Sequence, residues 1–253
     1  MSKHVQSRRS FNQHALGSLL TFSLLEMLGR HDLFAAEIKP LAAKWLTDVN
    51  QIGLDLKGQK LDQATWQKKQ EELLGQVELA DVLRLIDFDN LTKKVEFADR
   101  GERSLHFSFP KVEGVPSELC FGKQIFALKK DRSVIPHGHN NMATAFLILQ
   151  GNLQGKHYDR IEDQAEHIII KPTIDRTFKP GECSTVTDYK DNVHWFKALT
   201  EPAFIFNLHL LDVQPGTKLP TGRVYIDPAG EKLEGGLIRA KRIGYKQANE
   251  LYG

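Results

Sequence analysis

The chain has 253 residues, a formal charge of +2, 41% hydrophobic residues and 26% charged residues. That length suits one medium domain with appendages, and the mix is that of a chain folding in water, not of a disordered or fibrous one. No apolar run reaches the ~18 residues of a membrane-spanning helix, and no basic run is interleaved with aromatics. The expectation is therefore no stable membrane anchor and no nucleic-acid partner.

The positive surplus sits at the amino terminus. Residues 1–36 hold Lys3, Arg8, Arg9 and Arg30 against Glu26 and Asp32, and the remainder is neutral. Arg8-Arg9 precedes Phe11 and the uncharged, mostly apolar stretch Ala15 to Leu25, with Ala35-Ala36 further on. A basic start, an apolar segment and a small-residue end are the three parts of a secretory signal. The paired arginines resemble the bacterial twin-arginine type, which implies a periplasmic or exported protein. An amphipathic leading helix on a cytoplasmic protein is the alternative.

From residue 37 to about 100 the pattern is helical. Leu41, Trp45, Val49 and Ile52 recur at helical spacing, as do Leu79, Val82, Leu83 and Ile86. Gly53 and Gly58 suggest a break, and Asp62 before Ala64-Thr65-Trp66 suggests an N-cap. These helices are expected to cover one face of a β domain formed by the rest of the chain.

Between about 101 and 230 the period changes to that of strands. Short runs at 124–129, 144–150, 153–158, 167–170, 183–187, 194–199 and 203–211 are separated by Gly, Pro, Asn and Asp. Such spacing indicates an all-β sandwich or barrel. Gln150-Gly151-Asn152 suggests a tight hairpin turn, with Gly151 supplying positive φ. Residues 231–253 are expected to form a tail with a short helix over 241–252. Cys120 and Cys183 form no CxxC pair, which excludes thioredoxin-like and zinc-ribbon readings. They are either two buried free thiols or one disulfide.

The histidines carry the chemistry. On a strand, residues i and i+2 share a face, so His137 and His139 project together while Gly138 faces away. His194 opens a later strand-like run, far enough along for the chain to return beside the pair. Three neutral imidazoles suit Fe, Zn, Cu or Ni and leave positions open for water, substrate or oxygen. His4, His14 and His31 lie in the leader. His106, His157 and His167 are isolated and read as structural or surface residues. His209 shares a strand face with Asn207 and Leu211, either as a partner acting beside the metal or as a core histidine.

This ordering resembles the two cupin motifs: His137-x-His139, an apolar strand and Gly151, then a looser second motif around Gly181 and His194. The implied fold is mainly β, a single cupin-type (jelly-roll) β-barrel with an N-terminal helical segment. Most cupins add a glutamate ligand four or five residues after the second histidine. Ala143 and Thr144 stand there, and Glu162 and Glu166 lie too far along, which implies a three-histidine site. The stretch from His137 to Leu153 is similar to the corresponding segment of the cysteine dioxygenase family, and Asn207-Leu208-His209-Leu210 resembles its final barrel strand.

That resemblance implies Fe(II), or another divalent transition metal, at His137, His139 and His194. It also implies a small thiol and O₂ as substrates, a sulfinate as product, and His209 as a catalytic residue beside the ligands. There are departures. The cross-linked cysteine and tyrosine of the family's animal members are replaced by Thr144 and Leu211, and the family's relay serine by Asn207. Arg103 and Lys111 lie in the general region of the family's carboxylate-binding arginine without clearly matching it. The competing readings are a different metal-dependent cupin enzyme, either a ring-cleaving dioxygenase or an isomerase, and a cupin that binds metal or ligand without turnover. The oligomeric state is left open.

Overall fold

The computed structural model describes residues 44–109 and 118–253, so the expected leader over 1–36 and Lys111 lie outside the described residues. Residues 44–57 form helix α1. Three more helices follow: α2 (Gln63–Gln76), α3 (Leu79–Leu85) and α4 (Phe88–Thr92). Asp62 caps α2 by accepting the Thr65 backbone N–H at 2.6 Å, as its position predicts. The expected break falls at Gly58 and not at Gly53: α1 runs through Gly53 to residue 57 and turns at 58–61 before the next helix. A Cβ at position 53 would stand 2.6 Å from Cys120 Sγ, so this glycine serves a close passage of helix over sheet.

The strands are β1 (Arg103–Leu105), β2 (Gly122–Leu128), β3 (Ser133–Asn140), β4 (Met142–Gln150), β5 (Leu153–Asp163), β6 (His167–Phe178), β7 (Cys183–Val186), β8 (Val193–Ala198), β9 (Ala203–Leu211), β10 (Gly222–Lys232) and β11 (Ile238–Arg242). One sheet has the order β1-β2-β9-β4-β7. The other six strands close on themselves in the order β10-β11-β6-β5-β8-β3. The fold is thus mainly β, with a closed barrel and helices ahead of it.

Two expectations change. Gly151 does adopt positive φ (78°), but β4 pairs with β9 and β7 while β5 pairs with β6 and β8. The turn therefore carries the chain from one sheet to the other and does not close a hairpin. The barrel also does not stop near residue 230. β11 sits between β10 and β6, and α5 (Tyr245–Tyr252) is the α-helix of the expected tail, beside a 3-10 turn at Glu234–Gly236. Its sequence, Ile-Arg-Ala-Lys-Arg in β11, buries only Ala240, so that strand lacks the apolar alternation that marks one in a sequence.

Strand alternation sorts the core into layers. On β4, Ala143, Ala145, Leu147 and Leu149 pack with Trp45, Leu46, Leu56 and Trp66 of the helices. Phe204, Phe206, Leu208 and Leu210 of β9 join them. The opposite face of the same strands contributes Phe146, Ile148 and Ile205 to a second cluster with Phe178 and Phe196 from the other sheet. A third cluster, built on Tyr158, Ile168, Ile170, Val193, Ile226 and Ala240, draws on β5, β6, β8, β10 and β11. Buried glutamines lock the helical layer in place. Gln67 donates to the Thr185 carbonyl and accepts from the Thr187 hydroxyl, and Gln63 accepts the Asp188 backbone N–H. Cys120 and Cys183 are free thiols, half-buried against the helices; burial pushes Cys183 up to about 11.

Candidate metal centre

His137 and His139 extend from β3 to the same side, and His194 stands on β8 directly opposite His137. The three are brought together. One ring nitrogen of each lies within 4.8 Å of the others, and all three side chains are buried. The ring centres of His137 and His194 are 4.2 Å apart, those of His139 and His194 4.9 Å.

Each of the first two rings is held by its other nitrogen. His137 Nδ1–H donates to the Ile135 carbonyl at 2.8 Å, which leaves Nε2 unprotonated. That Nε2 is buried and has no hydrogen-bond partner. A buried nitrogen lone pair without a donor is costly in an apolar interior, and a metal ion satisfies it. His139 Nδ1 meets the Thr144 hydroxyl at 3.3 Å. Thr144, one of the two residues at the position where the resemblance implied a glutamate, thus contacts the ring of a candidate ligand. The chain around His139 is pinned as well. Asn192 accepts its backbone N–H and donates to its carbonyl at 2.9 Å. A Cβ at Gly138 would come 2.7 Å from the Asn192 amide oxygen, so the glycine between the two histidines makes room for this clamp.

Burial holds all three imidazoles neutral. It drives His139 down to about 3 and His137 and His194 well below the usual histidine range, with the Arg223 charge acting in the same direction. Neutral imidazole is the form that binds metal. The donor set therefore fits one divalent transition metal ion with open positions.

The three rings form part of the lining of a cavity of about 450 Å³. Phe126, Met142 and Phe146 give it an apolar wall, and Leu211 stands at its exposed edge. His209 lines it too, from β9. Asn207 Oδ1 lies 3.2 Å from His209 Nδ1, and burial lowers the basicity of the His209 ring. With Nδ1–H given to Asn207, Nε2 is the atom left to accept a hydrogen bond.

Sequence reading missed Arg223. It sits on β10 directly opposite His139 and lines the cavity, with its side chain 30% exposed. Its nearest acid is Glu102, at 4.0 Å, whose burial raises its pKa while Arg223 holds it down. Lys123 borders the cavity, but its ammonium lies over the rings of Phe107 and Phe109, on the helix side of β2 and opposite to Gly122 and Gln124. Arg103, by contrast, is exposed on the edge strand β1, away from the cavity, and His106 is exposed at the cavity rim. Glu162 and Glu166 are also exposed and outside this cavity.

Of the two readings for His157, structural or surface, burial excludes the surface one. His157 is fully buried beside the centre, directly opposite His194 on β5, and neither ring nitrogen has a hydrogen-bond partner.

No family model matches the chain, and no curated protein matches its sequence. Its likeness is to solved structures at low identity. A cupin superfamily protein from Desulfitobacterium hafniense is 15% identical over 47% of this chain and 84% of its own, with a TM-score of 0.31. A conserved protein with a double-stranded β-helix domain from Klebsiella pneumoniae is 11% identical over 53% and 85%, at 0.35. An oxalate oxidase structure is 12% identical over 53% and 61%, at 0.36.

Proposed function

We propose that this chain is a cupin-type, mononuclear non-haem iron dioxygenase that oxidises a small thiol bearing a carboxylate to its sulfinate. The observation that carries the reading is the donor set: three buried, neutral imidazoles with Thr144 where a carboxylate ligand would otherwise stand. A divalent ion held by three neutral ligands keeps its full charge. That favours an anionic, soft ligand such as a thiolate in an open position. When bound, iron would supply the redox chemistry and the positions shared by thiolate and O₂. In the balanced reaction one thiol and one O₂ give one sulfinic acid, with both oxygen atoms on sulfur and four electrons passing from sulfur to oxygen.

The chain's own residues would bind, orient and exclude water. Phe126, Met142 and Phe146 keep the sulfur in an apolar setting. Arg223 presents positive charge in the cavity, suited to a substrate carboxylate. His209, fixed by Asn207, offers Nε2 as an acceptor to a substrate or water proton.

The test is anaerobic loading with iron, followed by oxygen uptake with cysteine, cysteamine, mercaptopropionate and mercaptosuccinate. Uptake yielding a sulfinic acid is expected from a carboxylate-bearing thiol. If none of the four exceeds a free-iron control, thiol oxidation is replaced by another cupin chemistry.

A further inference from the structure

Three histidines stand in a row across neighbouring strands. In the antiparallel pairing, His137 on β3 is directly opposite His194 on β8, and His194 is directly opposite His157 on β5. Residues paired in this way project to the same face of a sheet. His157 therefore lies behind His194 on the side away from His137. The ring centres of His157 and His194 are 6.2 Å apart, at 70°.

The surroundings of His157 are apolar. Its ring stacks on Phe178 at 6.1 Å and meets Phe196 edge-on at 5.4 Å. A Phe or Leu would fill such a box without any unsatisfied polar atom. Instead the box holds three buried nitrogens with no partner: Nδ1 and Nε2 of His157, and Nδ1 of His194. Buried polar groups are nearly always hydrogen-bonded, so three orphans side by side call for an account.

The three candidate ligands supply it. A histidine that ligates through one ring nitrogen almost always donates its other N–H to an outer partner. His137 has the Ile135 carbonyl and His139 has the Thr144 hydroxyl. His194 alone has none, and the polar side chain paired with it across β8 and β5 is His157.

We propose that His157 is the outer partner of His194. One His157 ring nitrogen accepts the His194 Nδ1–H, directly after a small ring rotation or through one water, as the 6.2 Å spacing permits. This fixes the His194 tautomer and turns Nε2 toward the other two histidines. His157 is thus a positioning residue for the metal centre; it touches neither metal nor substrate. The proposal rests on the metal reading but not on the reaction or the substrate.

The test uses the full chain and two metals, Zn(II) and Co(II). His157→Phe keeps the aromatic packing and removes both nitrogens. His157→Gln restores an acceptor. The readouts are metal affinity by chelator competition, the Co(II) ligand-field spectrum and the melting temperature of the metal-free protein. His157→Phe is expected to weaken metal binding by about 10–100-fold and to shift the Co(II) bands. The metal-free variant should melt close to wild type: the buried His194 Nδ1–H loses its acceptor, but the second, unpartnered nitrogen of His157 goes with the ring. His157→Gln should recover part of the affinity.

Wild-type affinity and an unchanged Co(II) spectrum in His157→Phe would overturn the proposal. So would a large drop in metal-free melting temperature with no recovery in His157→Gln, which marks a packing role alone. A wild-type chain that binds neither ion sinks the metal centre itself, a distinct result from the loss of His157's role.

Discussion

The imidazole of His209 lies across Gly122. The two residues are directly opposed on β9 and β2, and a Cβ at position 122 would stand 2.2 Å from His209 Nε2. No real contact is that short, so the glycine gives this ring its place in the cavity. On the other side, Asn207 holds Nδ1.

Gly122→Ala is therefore expected to displace His209 without touching His137, His139 or His194. Metal content should remain near wild type while thiol-dependent oxygen uptake falls about 10–100-fold, the scale for lost partners beside a metal. His209→Ala should give the same split. Metal analysis and an oxygen electrode on the same samples decide it, and a fully active Gly122→Ala would show that His209 is not needed where it stands.

Much of this centre was legible because strands have period two. His137 and His139 share a face in any strand, and so do Asn207 and His209. The long-range pairings were not. That His157 stands opposite His194 depends on β5 pairing with β8 and not with β4. The turn at Gly151 looks the same in either arrangement. Arg223 was hidden for a related reason: β10 contains Asp227, Pro228 and Gly230 with a register shift between Asp227 and Glu231, and these punctuate a sequence as a loop would.

The ligand assignment has a direct check. Purified protein should hold about one transition metal ion per chain, and His137→Ala, His139→Ala or His194→Ala should each lower occupancy sharply. Removing one of three imidazoles leaves two, too few to compete with chelators. Full occupancy in His194→Ala would break the three-histidine set.

Arg223 should discriminate among substrates. A charge-assisted hydrogen bond to a carboxylate contributes about 1.5–3 kcal/mol. Arg223→Gln should therefore lower kcat/KM about 10–150-fold for mercaptopropionate or mercaptosuccinate, whichever the wild type oxidises. Any activity on cysteamine, which has no carboxylate, should change little. Equal losses on all thiols would mean that Arg223 shapes the cavity and does not recognise the acid.

Export is tested apart from chemistry. Arg8→Lys with Arg9→Lys preserves charge and should hold the precursor in the cytoplasm if the paired arginines are read by a twin-arginine receptor. Fractionation with sequencing of the mature amino terminus measures this. Cytoplasmic wild-type protein retaining Ser2 would remove the expectation.

Buried histidines also set the pH dependence of stability. In the folded, metal-free chain His139 and His157 are lowered to about 3, chiefly by burial, whereas in the unfolded chain a histidine titrates near 6.5. Above about 6.5 both states are neutral at these positions and stability is at its full value. Below that, the unfolded chain takes up protons that the folded chain refuses, so stability falls as pH falls, continuing toward about 3. The slope is about 1.4 kcal/mol per pH unit for each such histidine, and His137 and His194 shift in the same direction. Urea midpoints of chelator-treated protein should therefore drop steeply between about pH 6.5 and 4.5. His157→Phe removes one of these protons, so its midpoint should fall less over the same interval. Parallel curves for the two proteins would show that His157 is not held neutral by its burial.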